Sequence, residues 1–191
     1  MKFNPDVHNR KSLRLEKYDY SSEWLYFLTI SIKDKLCLFW EIKNDKIEIF
    51  DAWKMVEKYW LELENDFKNI VLHDYVIMPN HFHWIIEIKY NDEKWIENNK
   101  RVNTRFTPTG GKFLYNKNSI SSIIQAFKSK TTHQYIQWVY DNNWNIFNKK
   151  LWQKDFYEHI IRNEESYLKI TEYINNNVLK WEEDKFYYTE V

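Results

Sequence analysis

Two histidines one residue apart, His81 and His83, make the clearest chemical suggestion in this chain. In a β-strand, alternate side chains share a face. If HFHWIIEIKY (81–90) is extended, both imidazoles point the same way and can chelate one divalent ion. Phe82, Trp84 and Ile86 then face the other side. Solvated or hydrogen-bonded histidines at a strand start fit the same spacing, so the pair alone leaves both readings open. A second set is Ile170, Tyr173, Ile174 and Asn177, whose spacing of i, i+3, i+4 and i+7 places them on one helical stripe. Such a stripe is usually plain core. Asn177 breaks the pattern, because a buried amide needs a partner, and a metal ion is one candidate. Two imidazoles and one amide oxygen leave positions open for a phosphate, as a catalytic metal site requires. A phenol with a pKa of about 10 needs help from a base or a cation before it attacks. Attack by Tyr173 on a phosphodiester gives a covalent phosphotyrosine, which conserves the broken bond for rejoining.

A third set is basic. It comprises Arg10, Lys11 and Arg14 near the N-terminus, Arg105 and Lys112 in a region holding both glycines, and Lys128 and Lys130 beside Gln125. These can contact phosphates, with Trp and Tyr available to stack unpaired bases. A solvated helix face accounts for them equally well. Two glycines cannot build a Walker loop or a dinucleotide fingerprint, and no His-Glu-x-x-His or Gly-x-Ser-x-Gly occurs.

The elements that must position these groups follow from pattern. WLYFLTISI (24–32) is β-branched and aromatic, a strand. LCLFWEI (36–42) and IEIF (47–50) flank an Asn-Asp turn and read as a hairpin. Helical spacing takes over at Ala52, Met55, Val56, Tyr59, Trp60 and Leu63, predicting a helix from an Asp51 N-cap to about Phe67. IVLHDYVIM (70–78) and the His strand are separated only by Pro79-Asn80. Residues 91–118 read as a long, flexible, basic loop. Ser119 caps a helix with Ile120, Ile123, Ile124, Phe127 and Ile136 on one face. After an Asn-rich turn, 151–161 reads as extended or irregular. A last helix, 163–177, carries Tyr173, with Glu164 and Glu165 complementing its dipole. This order predicts an α+β protein, most economically a ferredoxin-like antiparallel sheet with helices packed on one face, as a single domain over 1–191 with an arm at 1–22.

Bulk properties bound the function. The 191 residues carry 28 basic and 28 acidic side chains, so any nucleic-acid surface must be local rather than global. Cys37 is the only cysteine, which excludes an internal disulfide and a Cys-x-x-Cys zinc site. No signal-peptide core or bilayer-length apolar run is present, so a cytoplasmic setting and no membrane partner are expected.

Three segments, YVIMPNHFHWIIEI (75–88), SIIQAFKSK (122–130) and LWQKDFYEHIIRNEESYLKITEYINNN (151–177), resemble the REP-associated tyrosine transposases. These are relatives of the single-strand insertion-sequence transposases within the HUH nuclease superfamily. The opening NRKSLRLEKYDYS and WLYFLTI are similar to that family's N-terminus, so the resemblance runs through nearly the whole chain. It implies an HUH fold that binds single-stranded, folded-back hairpin DNA and nicks and rejoins it through a 5′-phosphotyrosine, as in DNA transposition and recombination. It further implies Mg2+ or Mn2+ held by His81, His83 and Asn177, with Tyr173 as the catalytic residue. The protein would be nucleoid-associated when bound to DNA, and a monomer or homodimer. Asn177 is followed by Val178 where many relatives have proline, which should lengthen the helix slightly. Two other readings accompany this one: a catalytically silent hairpin-binding protein of the same fold, and an unrelated zinc hydrolase using the His pair.

Overall fold

The computed structural model describes residues 21–89, 104–106, 112–114 and 119–187. Its centre is a four-stranded sheet of β1 (Leu25–Ser31), β4 (Ile70–Ile77), β5 (His81–Ile88) and β8 (Tyr157–Ile161), in the order β4-β5-β1-β8. Every neighbouring pair is antiparallel. With α1 (Asp51–Leu61) between β1 and β4, and α3 (Ile120–Asn142) between β5 and β8, this is the ferredoxin-like βαββαβ arrangement that the sequence predicts.

Alternation sorts the sheet into two faces. Tyr26, Leu28 and Ile30 of β1 and Phe82, Trp84, Ile86 and Ile88 of β5 join one core cluster with α1 and α3. From α1 come Ala52, Met55, Val56 and Trp60, the predicted stripe. Trp60 stacks on Trp84 with centroids 5.1 Å apart, and Phe82, Trp84 and Phe127 pack edge-on or tilted around them. Aromatic pairs of this kind add about 0.5–1.5 kcal/mol each beyond the area they bury. The opposite face carries a smaller cluster of Phe27, Ile85, Ile161 and Ile174, the last from α4 (Glu164–Asn176). Thus α1 and α3 share one face as expected, whereas α4 covers the other, the face to which His81 and His83 point.

Several boundaries differ from the sequence reading. β2 (Trp40–Lys43) and β3 (Lys46–Ile49) form the hairpin, and Asn44 and Asp45 at its turn have φ of 51° and 57°, as a type I′ turn demands. Leu36–Leu38 lie outside β2, because the chain first makes a short 3-10 turn at Lys33–Lys35. The N-cap of α1 is Phe50, so Asp51 is already helical and its carboxylate accepts from Lys54 instead. Glu62 interrupts the predicted long helix, leaving α2 (Leu63–Asp66) as a separate turn. On α3 the buried residue near the end is Tyr135, while Ile136 is exposed, since fifteen residues from Ile120 keeps nearer the stripe than sixteen. The 91–118 segment, read as a loop, contains a two-stranded ribbon of β6 (Thr104–Phe106) and β7 (Lys112–Leu114). Strands of three residues are too short for periodicity to reveal. No helix among the described residues is long and apolar enough to cross a membrane.

Candidate metal centre and tyrosine site

His81 and His83 sit on β5 beside the central strand, with His83 directly opposite Thr29 on β1 and Val76 on β4. Both imidazoles are completely covered. Their Nε2 atoms are 2.9 Å apart. The Thr29 hydroxyl lies 2.7 Å from His83 Nδ1, and the Phe27 ring stacks on His83 at 5.4 Å.

Asn80 decides the protonation of His81. Its amide nitrogen donates to the Lys35 and Phe186 carbonyls at 3.2 and 2.9 Å. The amide oxygen therefore faces His81 Nδ1, 3.0 Å away, and that ring nitrogen must carry the proton. His81 Nε2 is left as a lone pair aimed at His83 Nε2. Thr29 can donate or accept, so it tolerates either tautomer of His83. When His83 donates to Thr29, two lone pairs converge at 2.9 Å, an arrangement that calls for a cation between or beside them.

A carboxylate joins them. Asp184 Oδ2 is 3.9 Å from His81 Nε2, and one ligand atom each from His81, His83 and Asp184 all lie within 4.8 Å of one another. Adjacent donors around an octahedral ion with bonds of about 2.1 Å lie about 3 Å apart, so small side-chain adjustments close this set on a divalent ion. Donor chemistry fits as well: two neutral imidazoles and a carboxylate oxygen suit a divalent transition-metal ion and leave positions open.

Burial is the main reason both histidines resist protonation. It pushes His83 down to about 3, with the Lys185 ammonium adding to the effect, while His81 is lowered by burial, then by His83 and Lys185. Below the ordinary histidine value of 6.5 the unfolded chain takes up protons that the folded chain refuses. Stability of the metal-free protein should therefore fall from pH 6.5 down to about 3, by roughly 1 kcal/mol per pH unit from His83, with His81 acting in the same direction. Thermal melts across that range check this, and His83→Phe should flatten part of the slope.

The tyrosine arrives from the helix. Asn163 caps α4, accepting from Ser166 N at 2.8 Å, and Ile174 anchors it against Phe27 and Ile85. Tyr167 and Thr171 both donate to Asp74, tying the helix to β4. On the same stripe the Tyr173 hydroxyl reaches to 3.2 Å from His83 Nε2, and its ring meets Phe27 edge-on at 6.1 Å. The ring is 43% exposed, open to a substrate on its free side. Burial of the hydroxyl end raises the phenol pKa; the Asn177 amide works against that rise and Asp184 adds to it.

Asn177 is buried, and among the described residues its amide nitrogen has no partner in hydrogen-bond geometry. It lines a cavity of about 450 Å³ together with Tyr173, Asp184 and Lys185. The sequence reading assigned the oxygen ligand to Asn177 and did not single out Asp184. Beyond α4 the chain continues directly into a 3-10 helix (Val178–Glu183), a tighter form of the extension expected from Val178. Trp181 packs edge-on against Trp40 on this helix, which swings Asp184 and Phe186 back over His81. No pattern in the sequence marks Asp184, because its approach depends on that turn.

The remaining predicted residues divide. Arg10, Lys11 and Arg14 lie outside the described residues, and Arg105 and Lys112 belong to the β6–β7 ribbon. Lys128 is mostly buried, and its ammonium donates to the carbonyls of Gln153, Lys154 and Asp155. Burial lowers it to about 8, against the pull of Asp155. Lys130 pairs with Asp66, and Gln125 is exposed along a second groove.

No protein-family model matches the chain. A solved REP-associated tyrosine transposase bound to a REP hairpin superposes with a TM-score of 0.55 at 18% identity, covering 87% of this chain and 74% of that one. At that identity the likeness establishes the fold. A Haemophilus influenzae protein described only as uncharacterized is 38% identical over 186 residues, 97% of each chain. The chain thus has the fold of the REP-associated tyrosine transposase and belongs to one family with the H. influenzae protein.

Proposed function

We propose that this protein is a transposase-like enzyme that nicks and rejoins single-stranded DNA next to a hairpin, through Tyr173 and with a divalent metal. The observation that carries this reading is the convergence of the hydroxyl of a partly exposed tyrosine, two neutral buried imidazoles and a carboxylate at one point. His81, His83 and Asp184, with Asn177 beside them, would hold the metal, which would supply Lewis-acid polarisation of the scissile phosphate.

The protein's own groups account for the rest. Tyr173 Oη attacks phosphorus, and the bond from phosphorus to the 3′ oxygen of the preceding nucleotide breaks. That oxygen leaves as a 3′-hydroxyl, taking up a proton. The phenolic proton passes to solvent on ionisation, which the nearby Asn177 amide favours. Phe27 holds the tyrosine ring edge-on and the imidazole of His83 face-on, so nucleophile and ligand keep one spacing. The Lys185 ammonium, which lines the same cavity, faces the added negative charge of the phosphate. Because the 5′-phosphotyrosine keeps the energy of the broken bond, attack by a 3′-hydroxyl reverses the step without ATP.

The test is covalent trapping. Protein with Mn2+ and labelled hairpin oligonucleotides from the gene's own flanks should give a protease-sensitive, slower band on a denaturing gel. Binding without any such band, over the full range of flanking sequences, would instead mark a silent hairpin-binding protein.

A further inference from the structure

β4 does not pair evenly with β5. Leu72 lies opposite Ile86 and Tyr75 opposite Trp84, so His73 and Asp74 together face the single residue Ile85. That is a β-bulge, an extra residue on one strand, which re-aims the side chains around it. Neighbours on a regular strand point to opposite faces. Here Leu72 and Tyr75 both pack against the core shared with α1 and α3, while His73 and Asp74 both reach across to α4.

On α4 they meet Tyr167 and Thr171, one helical turn apart. Both hydroxyls donate to the same oxygen, Asp74 Oδ2, at 3.2 and 3.3 Å. With its one proton given to Asp74, the Tyr167 oxygen accepts from His73 Nδ1 at 3.3 Å. The two rings meet edge-on, with centroids 5.8 Å apart. The other ring nitrogen of His73 lies 3.1 Å from Glu87 Oε2 on β5, which Lys89 also pairs at 3.0 Å. The bulge is thus braced from β5 and closed onto the helix.

α4 needs such a hold. Among its residues only Ile174 is buried, seated against Phe27 and Ile85. Apolar contact is non-directional, so a helix resting on one side chain can roll about it. Two hydrogen bonds from successive turns to one carboxylate oxygen weaken as soon as the helix rolls, because their geometry is directional. A side-chain end about 6 Å from the helix axis moves roughly 1 Å when the helix turns by about 10°. Tyr173 follows Thr171 by two residues, and its hydroxyl stands 3.2 Å from His83 Nε2. A displacement of about 1 Å at a reacting group can cost on the order of 10²-fold in rate.

We propose that Asp74 and His73, brought to one face by the bulge, are positioning residues that fix the roll of α4 and so hold the Tyr173 hydroxyl at His83. They act through the helix and not on the substrate. The consequence for rate rests on the nicking reading above; the geometry does not.

The test compares Asp74→Ala with Asp74→Asn, whose amide oxygen still accepts from both hydroxyls. The first readout needs no catalysis: the ring signals of His83, followed by NMR in protein carrying nitrogen-labelled histidine. Tyr173→Phe, which removes the hydroxyl at His83, marks where those signals go once the contact is lost. They should move towards that position in Asp74→Ala and stay near wild type in Asp74→Asn. The second readout is single-turnover formation of the tyrosine adduct at saturating DNA. Asp74→Ala should lose roughly 30-fold in this rate and Asp74→Asn less than about threefold, with hairpin affinity within about twofold of wild type in both. If Asp74→Ala does not fold, Thr171→Val decides: it should move both readouts the same way by less, and wild-type behaviour in it overturns the proposal. Unmoved His83 signals in Asp74→Ala, an Asn variant as impaired as the Ala variant, or a rate loss matched by weaker hairpin binding would each overturn it too. Adducts formed by Asp74→Ala at the wild-type rate sink only the positioning role. A wild-type protein without adducts, whose His83 signals still move in Asp74→Ala, sinks only the nicking reading.

Discussion

Replacing Tyr173 with phenylalanine is expected to abolish DNA cleavage and the covalent adduct while leaving hairpin binding within about twofold of wild type. Only one oxygen is removed. The ring keeps its edge-on contact with Phe27 and its packing against His83. The phenol lies at a half-exposed position, so no buried group loses an obligatory partner. With its proton on Nε2, His83 still donates to His81 Nε2 at 2.9 Å, while Thr29 donates to His83 Nδ1. Folding stability should thus change by less than about 1 kcal/mol. Loss of a covalent nucleophile, by contrast, costs on the order of 10⁴-fold or more in turnover, because nothing else forms the intermediate. Single-turnover cleavage with Mn2+, run beside anisotropy on the same oligonucleotide, separates the two quantities. A phenylalanine variant that cuts at the wild-type rate would exclude Tyr173 as nucleophile.

The second large effect concerns the metal. Mn2+ should raise the melting temperature of the wild-type protein, since it binds a preformed set of donors that the unfolded chain lacks. At a hundredfold excess over Kd the gain is about 2.7 kcal/mol, which for a chain of this size shifts Tm by roughly 5–10 °C. His81→Ala and His83→Ala should erase the shift, and EDTA should reverse it in the wild type. The oxygen donor is decided by comparing Asp184→Ala with Asn177→Ala. The carboxylate is the group whose oxygen converges with both imidazoles, so Asp184→Ala should lose most of the shift and Asn177→Ala less. If Asn177→Ala alone abolishes it, the amide is the ligand and Asp184 a neighbour. A full shift in both histidine variants would remove the metal from this site altogether.

Much of this protein was decided locally. The β-branched and aromatic runs made β1 and β5, and alternation alone put His81 and His83 on one face, because strand geometry repeats every two residues whatever surrounds it. Helical periodicity likewise fixed Tyr173, Ile174 and Asn177 on a shared stripe, and Ser119 and Asn163 marked their helix starts as side-chain caps. The Asn-Asp turn needed only its own positive-φ preference. Long-range packing decided the rest. Whether α4 lay on the side of α1 and α3 or on the other was settled by where Phe27, Ile85 and Ile174 could close a second core. Asp184 reaches His81 because Trp181 packs against Trp40 and turns the chain back, a contact between residues far apart in sequence. Lys128 looked free on a helix face, yet three carbonyls from the 153–155 segment hold it, leaving Lys149, Lys150 and Lys154 to face solvent. Periodicity tells a side chain which way to point; only the assembled fold determines what it meets there.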